Sequence, residues 1–93
     1  MGITIVGLGP GNGRFLTRAA WEILSQTEVV YLRTERHPAV ADLPESVTCH
    51  SFDRLYESAE SFADVYNAIV EDLMQRAREN PIIYAVPGHP FVG

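Results

Sequence analysis

The sequence predicts an α/β fold: an open, mostly parallel sheet with flanking helices. Three observations carry that expectation. Short apolar runs at Ile3 to Leu8, Val29 to Leu32 and Ile82 to Val86 are nearly continuous, as in strands buried on both faces. Helical periodicity fills the intervals between apolar runs, the alternation that builds a parallel sheet. Two of the runs also lead straight into glycine-proline turns, Gly7-Leu8-Gly9-Pro10-Gly11-Asn12-Gly13 and Pro87-Gly88-His89-Pro90. Ligands of open parallel sheets bind at the carboxyl ends of the strands, so two permissive loops leaving two strands are the expected walls of a cleft.

The elements follow in order. Ile3 to Leu8 is the first strand, closed by glycine. Leu16 to Ser25 reads as a helix capped by Thr17, with Leu16, Ala20, Ile23 and Leu24 as its apolar face. Val29-Val30-Tyr31-Leu32 is the second strand. Thr34-Glu35-Arg36-His37-Pro38 ends it, and Pro38 at a helix N1 position opens a short helical turn through Ala41. Val47 to Phe52 alternates in polarity like a strand near a sheet edge, and Asp53-Arg54-Leu55-Tyr56 is expected as a turn. A long helix starts near Ser61, its stripe formed by Phe62, Val65, Tyr66, Ile69, Val70, Leu73, Met74 and Ala77, and Pro81 ends it. Ile82 to Val86 is the fourth strand. A domain of this kind normally continues past its fourth strand, so the 93 residues are expected to be a fragment of a longer protein.

Composition bounds the function. Nearly half the chain is hydrophobic and a fifth is charged, which describes one globular domain and excludes a disordered chain. A net charge of -5 opposes a general nucleic-acid-binding face, which needs cations against phosphates. All seven cations are Arg, a bias that reads as genome composition or as a preference for bidentate anion contacts. The lone Cys49 has no internal disulfide partner, and no Cys/His cluster has metal-ligand spacing, so no metal is expected. No apolar stretch spans a bilayer, and the start lacks the basic region of a signal peptide. A cytoplasmic location is the expectation.

The first glycine loop admits more than one reading. It sits between strand and helix like a dinucleotide fingerprint, but Asn12 replaces the third glycine and Pro10 removes a backbone donor that a pyrophosphate would use. Arg33, not an acid, follows the second strand, so only a 2′-phosphate contact would fit a nicotinamide reading. The bland reading is a glycine-rich connection that merely turns the chain. His37 reads as a turn residue because no nearby acid is evident to orient it, and His50 as a solvated one. Trp21 and Tyr66 read as packing or rim residues. Glu57, Glu60, Asp64, Glu71 and Asp72 mostly lie off the apolar stripe and read as a solvated face.

Gly9-Pro10-Gly11 followed by Phe15-Leu16-Thr17 resembles the N-terminal signature of the tetrapyrrole methylases, the class III methyltransferases that use S-adenosylmethionine (SAM). The likeness extends to Val29-Val30-Tyr31 as that family's second strand and to Tyr84-Ala85-Val86-Pro87-Gly88-His89-Pro90 as its G-D-P loop. Thr34 to Pro38, Phe52-Asp53-Arg54-Leu55-Tyr56-Glu57 and Pro87 to Pro90 look like the branch fused ahead of a MazG-type nucleotide pyrophosphohydrolase.

The resemblance implies a SAM cleft between two α/β domains, of which residues 1–93 would be most of the first. It implies a sheet order of 3-2-4-1, with a fifth strand missing beyond the chain. Contacts to SAM would come from Gly9, Pro10, Gly11, Pro87, Gly88, His89 and Val92. The implied function is SAM-dependent methyl transfer to a small, tetrapyrrole-like acceptor in a protein that carries a downstream MazG-type domain and forms a homodimer. The alternative is a non-catalytic binding or regulatory module beside that hydrolase. Two departures bear on the choice: Leu32 stands where the uroporphyrinogen-methylating branch has a proton-accepting acid, and His89 replaces the G-D-P aspartate. His89 reads either as a polar loop residue or as a ligand contact. No residue is identified as a catalyst.

Overall fold

The apolar runs form four strands, β1 (Ile3–Gly7), β2 (Val29–Leu32), β3 (Thr48–Ser51) and β4 (Ile82–Val86). Between them run α1 (Arg18–Ser25), a 3-10 turn (Pro38–Asp42), α2 (Asp53–Ser58) and α3 (Phe62–Ala77). The computed structural model describes residues 2–9, 11, 16–58 and 60–87. All strand pairs are parallel, in the order β1-β4-β2-β3, which is the expected 3-2-4-1 read from the other edge. β1 meets β4 from Ile3↔Ile82 to Gly7↔Val86, and β2 meets β4 at Tyr31↔Tyr84 and Leu32↔Ala85. β3 lies at the sheet edge, as its alternating polarity predicts.

Strand side chains alternate between faces, and each face is covered by a different part of the chain. Val6, Val30, Leu32 and Ala85 pack on one side with Ala20 and Leu24 of α1 and with Ala39 and Leu43 around the 3-10 turn. On the other side Phe52 and Ile82, with Tyr31 and Tyr84 partly buried, meet Val65, Ile69, Leu73 and Ala77 of α3. The caps follow the sequence: Ala20 N–H donates to Thr17 Oγ1 at 3.0 Å, and Asp64 N–H to Ser61 Oγ at 3.2 Å. No helix of the described residues is long and apolar enough to cross a membrane.

Four local expectations need correction. β1 is not buried on both faces: it is an edge strand, and its Ile3, Thr4 and Ile5 are exposed. Ile23 is exposed at the rim of α1 instead of completing its apolar face. The eight-residue stripe on α3 divides into two. Val65, Ile69, Leu73 and Ala77 face the sheet, whereas Phe62, Tyr66, Val70 and Met74 are exposed. The other flank, with Ala68, Asp72 and Arg76, lines a cleft with β2 and β3, so Tyr66, Val70 and Met74 turn away from β3. A single sheet face accepts one row spaced by four; the adjacent row rotates off it. The segment after Phe52 is a short helix, α2, where a turn was expected. Leu55 and Tyr56 pack on the α3-side core, so tertiary contact holds a helix too short to be stable alone.

Candidate functional site at the carboxyl end of the sheet

β1 and β4 end together. Leu8 N–H donates to the Val86 carbonyl at 2.8 Å, carrying the ladder one residue past the last paired position, so Leu8-Gly9 and Pro87 leave the sheet side by side. Gly9 has φ 77, the left-handed region where a side chain is strained. Gly11 and Pro87 are half-buried. The structure thus places Gly9, Gly11 and Pro87; Pro10, Gly88, His89 and Val92 lie outside the described residues. β2 reaches the same end, where Arg33 N–H donates to the Ala85 carbonyl at 3.0 Å.

The segment after β2 is pinned by Asp53, the first residue of α2. Thr34 Oγ1 donates to Asp53 Oδ1 at 2.6 Å and Glu35 N–H to Oδ2 at 2.9 Å, while Arg36 N–H donates back to Thr34 Oγ1 at 3.1 Å. Burial alone pushes the Asp53 carboxyl up. Donation from Glu35 N–H and from the Thr34 and Ser51 hydroxyls, with the Arg36 charge, outweighs it and holds the group below its ordinary range. The Arg36–Glu57 pair, at 3.4 Å, is exposed and adds little.

A depressed folded pKa contributes stability that is complete above the unfolded value of about 3.9 and lost as pH falls through the lower folded value. Melting temperature is therefore expected to stay level toward neutral pH and fall in acid. Asp53→Asn should melt lower at pH 7 but converge on the wild type in strong acid, as read by circular dichroism across pH. Parallel curves at every pH would contradict the assignment.

His37 is a turn residue, as its place before Pro38 suggests, and it also joins two segments of the chain. It is the N-cap of the 3-10 turn, with Ala39 N–H donating to Nδ1 at 3.0 Å, and its Nε2 lies 2.8 Å from the Gly9 carbonyl oxygen. The one signal in the sequence was its position before Pro38 at N1; nothing there joins residue 37 to residue 9. Near Arg33 stand two tyrosines. Burial pushes the Tyr84 hydroxyl up to about 12, with Tyr56 adding to the rise and Arg33 opposing it. Burial likewise raises Tyr56, again against the Arg33 charge. Both phenols are therefore protonated at neutral pH.

Leu32 is fully buried in the core on the α1 side. Among the described residues, no group of three or more His, Cys, Asp or Glu could hold a metal. The cleft of about 480 Å³ between β3 and α3 stands apart from Gly9 and Pro87. Its Arg76 is already engaged by Asp72 and by Tyr31, whose ring it covers at 4.9 Å and whose hydroxyl it meets at 3.3 Å. His50 is exposed, as expected, and stacks on Tyr31 at 5.7 Å. The carboxyl end thus offers backbone and loop groups to a ligand, and the Asp53 carboxylate there is committed to structure.

A parallel sheet with helices packed on both faces defines an α/β domain. The chain belongs to the tetrapyrrole (corrin/porphyrin) methylases, whose family model matches residues 2–93. It is 41% identical over 91 residues to Uncharacterized protein YabN of Bacillus subtilis (strain 168), covering 97% of this chain and 19% of that protein. Among solved structures it is similar to uroporphyrin-III-C-methyltransferase from Thermus thermophilus, with 26% identity and a TM-score of 0.68, covering 98% of this chain and 36% of that one. A native form of that enzyme gives 25% identity and a TM-score of 0.61, with 100% and 38% covered. Its complex with S-adenyl homocysteine, at 23% identity, TM-score 0.56 and 99% and 35% coverage, shares the fold. The chain thus spans about a fifth of the length of the curated relative and just over a third of the solved ones.

Proposed function

We propose that this chain forms the N-terminal part, residues 1–93, of a SAM-dependent methyltransferase domain of tetrapyrrole methylase type. The observation that carries the reading is the pairing of β1 with β4, which sets Leu8-Gly9 beside Pro87 at the carboxyl end of the sheet. The residues there fit the cofactor: Gly9 has no side chain to block a ligand's approach, and its φ turns the loop's backbone where a side-chain-bearing residue would be strained. Gly9, Pro10 and Gly11 on one loop, with Pro87, Gly88, His89 and Val92 on the other, would hold it. When bound, SAM supplies an electrophilic methyl group on a sulfonium sulfur. The chain's task is orientation, since holding reactants in a near-attack arrangement lowers a barrier by about 7–11 kcal/mol.

The acceptor in this reading is a small, tetrapyrrole-like molecule, and the protein is a cytoplasmic homodimer with a MazG-type nucleotide pyrophosphohydrolase domain downstream. The match to the tetrapyrrole methylases and the methyltransferase fold support the methyl-transfer part of it. A second reading rests on Leu32. A buried leucine in place of a proton-accepting acid favours a methylase fold kept as a non-catalytic binding or regulatory module beside the hydrolase.

Isothermal titration of SAM, S-adenosylhomocysteine and, separately, NADPH into the natural full-length protein tests the proposal. Stoichiometric binding of SAM and its demethylated product without NADPH binding is expected. Heat from NADPH alone, or from none of the three, would overturn it. Binding without methyl loss from SAM in the presence of tetrapyrrole acceptors would favour the regulatory reading.

A further inference from the structure

We infer that His37 is the positioning residue of the first glycine loop, acting through its neutral Nε2–H tautomer; this rests on the reading of that loop as the cofactor-binding loop. Two contacts fix the ring. The Gly9 carbonyl oxygen can only accept, so the Nε2 atom 2.8 Å away must carry the proton. The Ala39 N–H can only donate, so the Nδ1 atom 3.0 Å away must not carry one. One tautomer and one ring plane satisfy both.

The Gly9 carbonyl is a telling partner. It belongs to the Gly9-Pro10 peptide, and proline brings no N–H, so the carbonyl oxygen is that peptide's only hydrogen-bonding handle. Gly9 itself, at φ 77 and without a side chain, has the widest backbone freedom of any residue, and a loop built on it needs an external hold. His37 supplies that hold from the segment after β2. Because β4 lies between β1 and β2, the bond from His37 to Gly9 reaches across the end of β4, where Pro87 departs. The Gly9 carbonyl is thus held by a residue outside its own loop. The starting point of His37 is set in turn by Asp53, through Thr34 and the backbone of Glu35.

Two variants of the full-length protein separate this role from simple capping. Asn at position 37 retains a side-chain oxygen to accept from Ala39 N–H, as good N-caps do, but is too short to reach Gly9. Gln reaches Gly9 with its amide N–H₂ and is a poor cap. His37→Asn is expected to melt within about 2 °C of the wild type. Hydrogen exchange in the peptide covering Val6 to Gly11 should nevertheless quicken at least about tenfold, with the α3 peptides unchanged. Affinity for S-adenosylhomocysteine should fall about tenfold or more in the same variant. His37→Gln should lose thermal stability yet keep slow exchange in the loop and bind within about threefold of the wild type.

Wild-type exchange and affinity in His37→Asn would overturn the inference, as would losses in both variants that simply track their melting temperatures. If the wild type does not bind S-adenosylhomocysteine while His37→Asn still loosens the Gly9 peptide, the cofactor reading fails and the positioning role stands.

Discussion

Leu32→Ala is expected to lower the unfolding free energy by about 2–5 kcal/mol, and Leu32→Asp to leave no folded protein at neutral pH. Leu32 is 0% exposed and sits in a middle strand, paired with Ser51 on one side and Ala85 on the other. Truncation removes the lost side chain's transfer energy and leaves a cavity among Val30, Ala39 and Ala85. An aspartate there would bury a charge, at a cost of several kcal/mol, in a domain whose whole stability is expected near 5–15 kcal/mol. Urea unfolding of the alanine variant and circular dichroism of the aspartate variant provide the measurements. A folded Leu32→Asp would mean that this core position accommodates a charge, contrary to its full burial.

Gly9→Val should have the largest effect on ligand binding. A valine at φ 77 places a β-branched side chain in the left-handed region, at a cost of about 1–3 kcal/mol, which the loop relieves by moving. Moving it breaks the Gly9 carbonyl bond to His37 and changes the distance to Pro87, so affinity for S-adenosylhomocysteine should drop by at least about tenfold. Gly2→Ala is the control, because a Cβ at Gly2 meets nothing within 4 Å. Titration of both variants should find the second indistinguishable from wild type. Equal affinities for Gly9→Val and wild type would show that the loop's conformation does not matter to the ligand.

The legible parts of this fold were those governed by neighbours in sequence. Continuous apolar runs disclosed β1, β2 and β4, the Thr17 hydroxyl and the periodicity after Ser61 marked the helix starts, and Pro38 marked the 3-10 turn. Periodicity could not order the strands; the expected 3-2-4-1 came from family resemblance. Nor could it show which half of the α3 stripe meets the sheet, because a helix with a wide apolar face offers two rows and the sheet takes one. Six residues of α2 are too few to display a period. That Gly9 and Pro87 lie at one end of the sheet was legible because the loops after parallel strands gather there. Asp53 and His37 were not, since their partners lie at Thr34, Glu35 and Gly9, far away in sequence and brought close only by the sheet.

The pairing of β1 with β4 also sets a timetable for the chain as it is made. β2 and β3 are near neighbours in sequence and can join while synthesis is under way, but β1 waits for the last described strand. At about 5–20 residues per second, Ile3 to Leu8 leaves the ribosome several seconds before Ile82 to Val86 can receive it. Through that interval an uncapped apolar segment is available to chaperones and to other nascent chains. A slow codon run just before β4 would lengthen the wait, and yield of folded protein would depend on how quickly the β4 residues arrive.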